Sequence, residues 1–306
     1  MELAAPVDPR VSKFAEAIAA KHGPASRAVL FYGSCLREKQ LDGLMLDFYL
    51  IVSDYRAAYD KRWLALANRL IPPNVFYFES DGLRAKYAVL SEEDFQREVG
   101  LQARSTSVWA RFAQPSRLVW AADEQAKTVT ITAVAEAAPT LFALTRPAMS
   151  GDERGDALAV FRAGFTFTYG AEIRAERKQK PESIVDAAPE RYRNIGETVM
   201  AMHPIDKPPK KPKSAYKSGF QEGAVRVKCR KAAQQKWRRM QRKGKALSVA
   251  RLAKASATFA GGVDYIAWKI NRHAGTQIRI KPWQRRWPLL AAITLLPRLL
   301  KSGAVR

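Results

Sequence analysis

Cysteine and histidine are scarce in this 306-residue chain, and acidic residues all but vanish from its last third. The two cysteines, Cys35 and Cys229, offer neither a disulfide framework nor the spacing of a metal site, and both read as packing residues. Three scattered histidines give no zinc-ligand pattern. The apolar run from Leu289 is eight residues long before Pro297 and Arg298. A bilayer-spanning helix needs about 20, so no spanning helix is expected. Glu2 and Asp8 interrupt the N-terminal segment, which has no continuous apolar stretch. A signal peptide is therefore not expected, and the cytoplasmic face of a membrane is the expected location.

What the chain has in quantity is positive charge, and it is unevenly placed. Residues 1–205 hold 26 Lys and Arg against 26 Asp and Glu, whereas 206–306 hold 26 against only Asp206, Glu222 and Asp264. The entire formal excess of +23 sits in the last third. This is the pattern of a neutral body with an anion-seeking appendage, whose partners are nucleic acid or an anionic membrane. The tail combines Trp283, Arg285, Arg286, Trp287, Leu289 and Leu290. Tryptophan, arginine and leucine together suit an element lying in the membrane interface. No glycine-aromatic signature of RNA binding accompanies them, so lipid is expected and nucleic acid is not.

The body reads as a succession of strands and helices. Val11 to Lys21 is amphipathic and ends near Gly23-Pro24. Ala28–Tyr32 and Phe48–Val52 read as strands, joined by a Gly33-Ser34 turn and a loop through Asp42-Gly43. Arg56 to Leu70 reads as one helix closed by Pro72-Pro73. Val75–Phe78 and Arg84–Leu90 flank Ser80-Asp81-Gly82, a hairpin signal. Ser91 followed by three acids reads as an N-cap. Residues 123–205 are mainly helical in pattern, Ile205 to Gly219 is a proline- and lysine-rich linker, and Arg230 to Phe259 is a basic helical region.

The chemistry concentrates at the first turn. Gly33 permits a tight turn and close approach of a phosphate to backbone amides, and Ser34 adds a hydroxyl donor. Asp47, on the next strand, is a candidate ligand for Mg²⁺, a hard ion that prefers carboxylate and phosphate oxygens. Arg37 and Lys39 lie in the intervening loop and are candidates to neutralise phosphates. A second carboxylate two residues on would share the face of Asp47, but position 49 is tyrosine. The site therefore needs another acid, and Glu172, after the apolar segment from Phe161, is the choice. The competing reading is a surface glutamate; Glu79 and Asp81 are explained by the hairpin. Lys86 alternates with apolar neighbours and either snorkels or binds phosphate.

These residues resemble a specific family, the Tam41-type mitochondrial phosphatidate cytidylyltransferases. Tyr32-Gly33-Ser34 and Leu44-Met45-Leu46-Asp47-Phe48 resemble its YGS turn and M-L/I-D-F block, and Lys86-Tyr87-Ala88-Val89-Leu90-Ser91 resembles K-Y-G-V-I-S. Ala110 to Pro115 loosely resembles A-G-R-L-x-K-P. Ala171-Glu172-Ile173-Arg174, with Lys180 and Ile184-Val185, resembles G-D-F-R and the K…I-V after it. The family also lacks a second carboxylate at the position of Tyr49. Glutamate at 172 in place of aspartate lengthens the arm, and Ala88 replaces a glycine.

The resemblance implies an α+β protein: a nucleotidyltransferase domain with a mixed β-sheet (1–122), a helical winged-helix-like domain contributing a site carboxylate (123–205), and a basic linker with membrane-associating helices (206–306). It implies CTP and phosphatidic acid as substrates, CDP-diacylglycerol and pyrophosphate as products, and Mg²⁺ as cofactor. Ser34, Lys86 and Arg174 would contact CTP or phosphates, and Asp47 with Glu172 would hold the metal. Two alternatives stay open: a nucleotidyltransferase acting on a nucleic acid or small acceptor, and a catalytically inert relative that binds anionic membranes.

Overall fold

The computed structural model describes residues 2–38, 41–172, 181–203, 219–258 and 280–283. Five strands, β1 (Ser26–Tyr32), β2 (Met45–Val52), β3 (Asn74–Ser80), β4 (Leu83–Ser91) and β5 (Ser116–Ala121), form one sheet in the order β3-β4-β2-β1-β5. The sheet is mixed: β2 and β4 run parallel, and every other neighbouring pair is antiparallel. The helices are α1 (Pro9–Ala20), α2 (Ser34–Glu38), α3 (Tyr55–Ala58), α4 (Arg62–Leu70), α5 (Glu92–Val99), α6 (Trp109–Phe112), α7 (Glu124–Ala135), α8 (Ala137–Thr145), α9 (Ala157–Tyr169), α10 (Pro181–Asp186), α11 (Pro189–Met202) and α12 (Gly219–Thr258). An α+β architecture with a mixed sheet is thus observed. The described residues of 123–205 are helical or irregular and contribute no strand to the sheet.

Successive side chains of a strand point to opposite faces, and here both faces of the sheet are covered. Leu46, Phe48, Leu50 and Val52 of β2 join Val29 and Phe31 of β1 in a core with Val11, Phe14 and Ile18 of α1. Tyr49 and Ile51 point the other way, into a larger core with Leu30, Phe95, Trp109, Phe112, Leu141, Phe161 and Phe165. Asp47 belongs by alternation to this second face. The side chains of Ser91, Asp123 and Asp156 accept hydrogen bonds from the first turns of α5, α7 and α9, so each cap fixes where its helix begins.

The segment expected as one helix over Arg56–Leu70 is two, α3 and α4. Tyr59 and Lys61 are extended between them. Tyr59 is buried there against Phe76, with ring centroids 5.9 Å apart, and that burial interrupts the helical path.

Alpha-12 is not a free appendage. The indole N–H of its buried Trp237 donates to the Leu144 carbonyl at 2.9 Å, and the ring packs against Phe167 and Trp109. Gln241 donates to the Phe167 carbonyl at 3.0 Å, and Gly244 lies against Ala171. Lys231, Lys236, Arg238, Arg239, Arg242, Lys243 and Lys245 stay exposed. The positive charge faces water while a stripe spaced three and four residues apart faces the body. One helical stretch among the described residues, Glu124–Ala148, is long and apolar enough to cross a membrane by length and composition; half of it is buried inside the fold.

Candidate functional site

A single register row crosses the whole sheet. Tyr77 of β3 pairs with Lys86 of β4, Lys86 with Asp47 of β2, Asp47 with Tyr32 of β1, and Tyr32 with Ser116 of β5. Residues paired this way share a face. Asp47 and Lys86 are thereby neighbours, and Asp47 Oδ1 lies 3.1 Å from Lys86 Nζ. The lysine expected either to snorkel or to bind phosphate is the cation facing this aspartate.

Gly33 follows Tyr32 directly, with φ of +97°, in the left-handed region that favours glycine. A Cβ built there would lie 2.8 Å from Asp47 Oδ2. Glycine is therefore required twice, once for its backbone and once for the space the carboxylate occupies. Ser34 opens α2 and is half-buried.

The second carboxylate arrives from the other half of the chain. Glu172 follows α9 and lies 3.1 Å from Nη1 of Arg111, on α6. The same guanidinium nitrogen donates to the Ser107 carbonyl. Burial presses the Arg111 pKa down, but the fields of Glu172, Tyr49, Tyr32 and Asp47 outweigh it and hold the pKa above its ordinary value. Tyr32 has its phenol pKa raised well above normal, first by burial and then by Asp47, with Glu172 also contributing. Asp47 and Glu172 thus act on the same two groups.

Behind Arg111 lies a buried polar shelf, Ser105-Thr106-Ser107. Arg251 of α12 donates to the Ser107 hydroxyl at 2.8 Å, the Ser105 hydroxyl at 3.3 Å and the Pro72 carbonyl at 2.7 Å. Its pKa is lowered, mainly by burial. Glu98, 1% exposed, accepts from the Arg104 amide at 3.3 Å, and burial raises its pKa. Lys254, one turn beyond Arg251, donates to the carbonyls of Ile71 and Pro73; burial first, then Arg251, lowers its pKa to about 7.

The floor is aromatic: Tyr32, Tyr49 and Phe112 lie with ring centroids 5.3 to 6.0 Å apart. Two carboxylates act on its Tyr32, and each faces a cation. Such a set offers donors to phosphate oxygens and hard oxygen ligands to a cation.

Of the residues expected at the site, Gly33, Ser34, Asp47, Lys86 and Glu172 are described. Gly33, Asp47 and Lys86 meet on the sheet, and Glu172 is tied to that face through Arg111. The side chain of Arg37, and Lys39, Arg174 and Lys180 altogether, lie outside the described residues. Among the membrane candidates Trp283 is exposed, and Arg285, Arg286, Trp287, Leu289 and Leu290 lie outside them. Sequence reasoning assigned no role to Arg111, Tyr32, Ser107 or Arg251. Tyr32 and Arg111 stood in quoted blocks, but nothing local says that a lone arginine on a one-turn helix meets a glutamate 61 positions away.

No protein-family model and no curated protein matches the chain. Among solved structures it is similar to a nucleotidyltransferase-like protein from Exiguobacterium sibiricum 255-15. The identity is 9%, the match covers 96% of this chain and 92% of that one, and the TM-score is 0.29. A likeness that slight leaves the functional reading to the geometry of the site.

Proposed function

We propose that the chain is a nucleotidyltransferase, and more narrowly that it transfers CMP from CTP to phosphatidic acid, giving CDP-diacylglycerol and pyrophosphate at a membrane surface. The observation that carries the reading is Asp47 packed against a left-handed Gly33, with Lys86 beside it and the Glu172–Arg111 pair acting on the same face. Turn, carboxylate and cation are the parts a triphosphate site requires.

Among the described residues no three or more His, Cys, Asp or Glu side chains gather as a metal cluster. Two carboxylates nonetheless fit Mg²⁺, which is usually held by one or two carboxylates together with substrate phosphates. Asp47 Oδ1 is shielded from water, with an ion pair to Lys86 but no well-aligned hydrogen bond, so it keeps capacity for a further cation. Asp47 and Glu172 would hold the ion, which supplies charge neutralisation on the phosphates.

The chain's own residues would do the rest. Gly33 and Ser34 would receive the triphosphate on the turn, and Lys86 and Arg111 would offset the negative charge that passes to the leaving pyrophosphate. A phosphate oxygen of phosphatidate would form the new bond to the α-phosphorus as the bond to the pyrophosphate oxygen breaks. That nucleophile is already ionised at neutral pH, so the protein need not supply a strong base. The CTP preference and the lipid acceptor come from the resemblance of the sequence blocks. Peripheral attachment to an anionic membrane comes from the charge of the last third.

One observation favours a second reading. Each carboxylate already faces a cation within the chain, as it would in a relative that binds anions without transferring nucleotides. Reconstitution with each of the four nucleoside triphosphates, Mg²⁺ and phosphatidate vesicles separates the two. Pyrophosphate and a CDP-diacylglycerol of the correct mass should form with CTP alone, and Asp47→Ala should lower the rate about hundredfold or more. Transfer to an RNA end in place of the lipid would remove the lipid acceptor, and absence of triphosphate binding would leave the anion-binding relative.

A further inference from the structure

Helix α4 turns most of its large apolar side chains outward. Its inward side seats Ala65 and Leu64 on the core and is fixed by polar groups: the Asn68 side-chain amide donates to the Val89 carbonyl at 2.9 Å, and the Asn74 amide donates to the Leu64 carbonyl at 3.0 Å. Its outward side carries Trp63, Leu66 and Leu70, which are 47%, 58% and 66% exposed. At 100° per residue these three fall in one stripe, and Arg62 and Arg69, seven positions apart, run along its edge. Lys61 is exposed at the helix start, and Asp60 is the one acid between 59 and 70. A helix in water turns such an apolar stripe toward the core; a stripe turned outward marks an interaction surface.

The charge decides what that surface meets. Arginines beside a tryptophan–leucine stripe suit an anionic lipid interface, where the apolar side chains enter the acyl boundary and the guanidinium groups remain among headgroups. The fold adds a second reason. Alpha-4 is followed at once by Ile71, Pro72 and Pro73, whose carbonyls are gripped by Arg251 and Lys254 near the end of α12. The basic third of the chain is thereby held to the end of α4.

We propose that the exposed face of α4 docks on anionic phospholipid bilayers, with Trp63, Leu66 and Leu70 inserted and Arg62 and Arg69 on the headgroup phosphates. The proposal does not depend on the nucleotidyl-transfer reading, and its test contains no nucleotide. The full chain should sediment with phosphatidylcholine–phosphatidylglycerol vesicles. The triple variant Trp63→Ser, Leu66→Ser, Leu70→Ser should bind them about tenfold or more weakly, and Arg62→Glu with Arg69→Glu should do likewise. All five side chains are exposed, so circular dichroism and the thermal midpoint should match the parent chain.

A second measurement reads the helix itself: an environment-sensitive fluorophore on Trp63→Cys, in a Cys229→Ser background, should shift to the blue on vesicle binding. Equal sedimentation of the triple variant, or an unshifted probe on vesicle-bound protein, overturns the proposal. So does a lipid-free dimer, seen by light scattering, that the triple variant abolishes, because the stripe would then be covered by a second copy of this chain.

Discussion

Gly33 and Asp47 work as one device at the scale of single residues. The backbone at φ +97° turns the chain after β1, and the missing Cβ leaves Asp47 Oδ2 its place against the turn. Gly33→Ala carries two penalties, a disfavoured backbone and a carboxylate driven from its pairing with Lys86. It is expected to lower stability by about 1–3 kcal/mol in urea unfolding and to abolish triphosphate binding measured by calorimetry. Intact binding in a destabilised variant would mean that the turn serves the fold alone. At this scale the sequence is legible where a residue type is forced: Gly33 and Asp47 were identifiable from one short stretch. Arg111 was not, because its meaning depends on Glu172, and nothing between positions 111 and 172 encodes their meeting.

Elements were legible where an apolar run stands between turn or cap signals. Beta-1, β2, β3 and β4 extend the expected strands by a few residues at their ends, and Ser91 caps α5 through the Asp94 amide as expected. Beta-5 carries no comparable signal. Ser116–Ala121 is a sheet-edge strand, and apart from buried Ser116 its residues are half-buried on both faces, so its apolar residues do not alternate. The packing of α12 was equally hidden, since the charge of the helix dominates its composition while its docking rests on Trp237, Gln241, Gly244 and Arg251. Gly244 supplies the element-scale prediction. Exposed mid-helix glycine replaced by alanine normally stabilises by about 1 kcal/mol, but here the added Cβ would lie 2.5 Å from the Ala171 carbonyl oxygen. Gly244→Ala should therefore lower the urea midpoint, and a raised midpoint would show that α12 does not seat on the residues leading to Glu172.

Over the whole molecule, the second face of the sheet and the helices after residue 123 share one hydrophobic cluster, which Trp237 of α12 completes. Arg251 then ties the same helix to the shelf behind Arg111. Ending the chain at residue 218 should consequently expose apolar surface around Trp109, Leu144 and Phe167. The expected outcome is a lower unfolding midpoint together with more binding of a hydrophobic dye than the full chain shows. Unchanged unfolding would make α12 an accessory.

The sequence by itself determined the positions of β1 to β4, the turn at Gly33, the carboxylate at Asp47 and the confinement of excess charge to the last third. These are local properties of neighbouring residues or sums over composition. Only the tertiary structure decided that Lys86 stands beside Asp47, that Glu172 faces Arg111 and that the basic helix packs on the body. Those pairings depend on strand order and helix docking, which arise from burial of the whole chain at once and leave no mark at any single position.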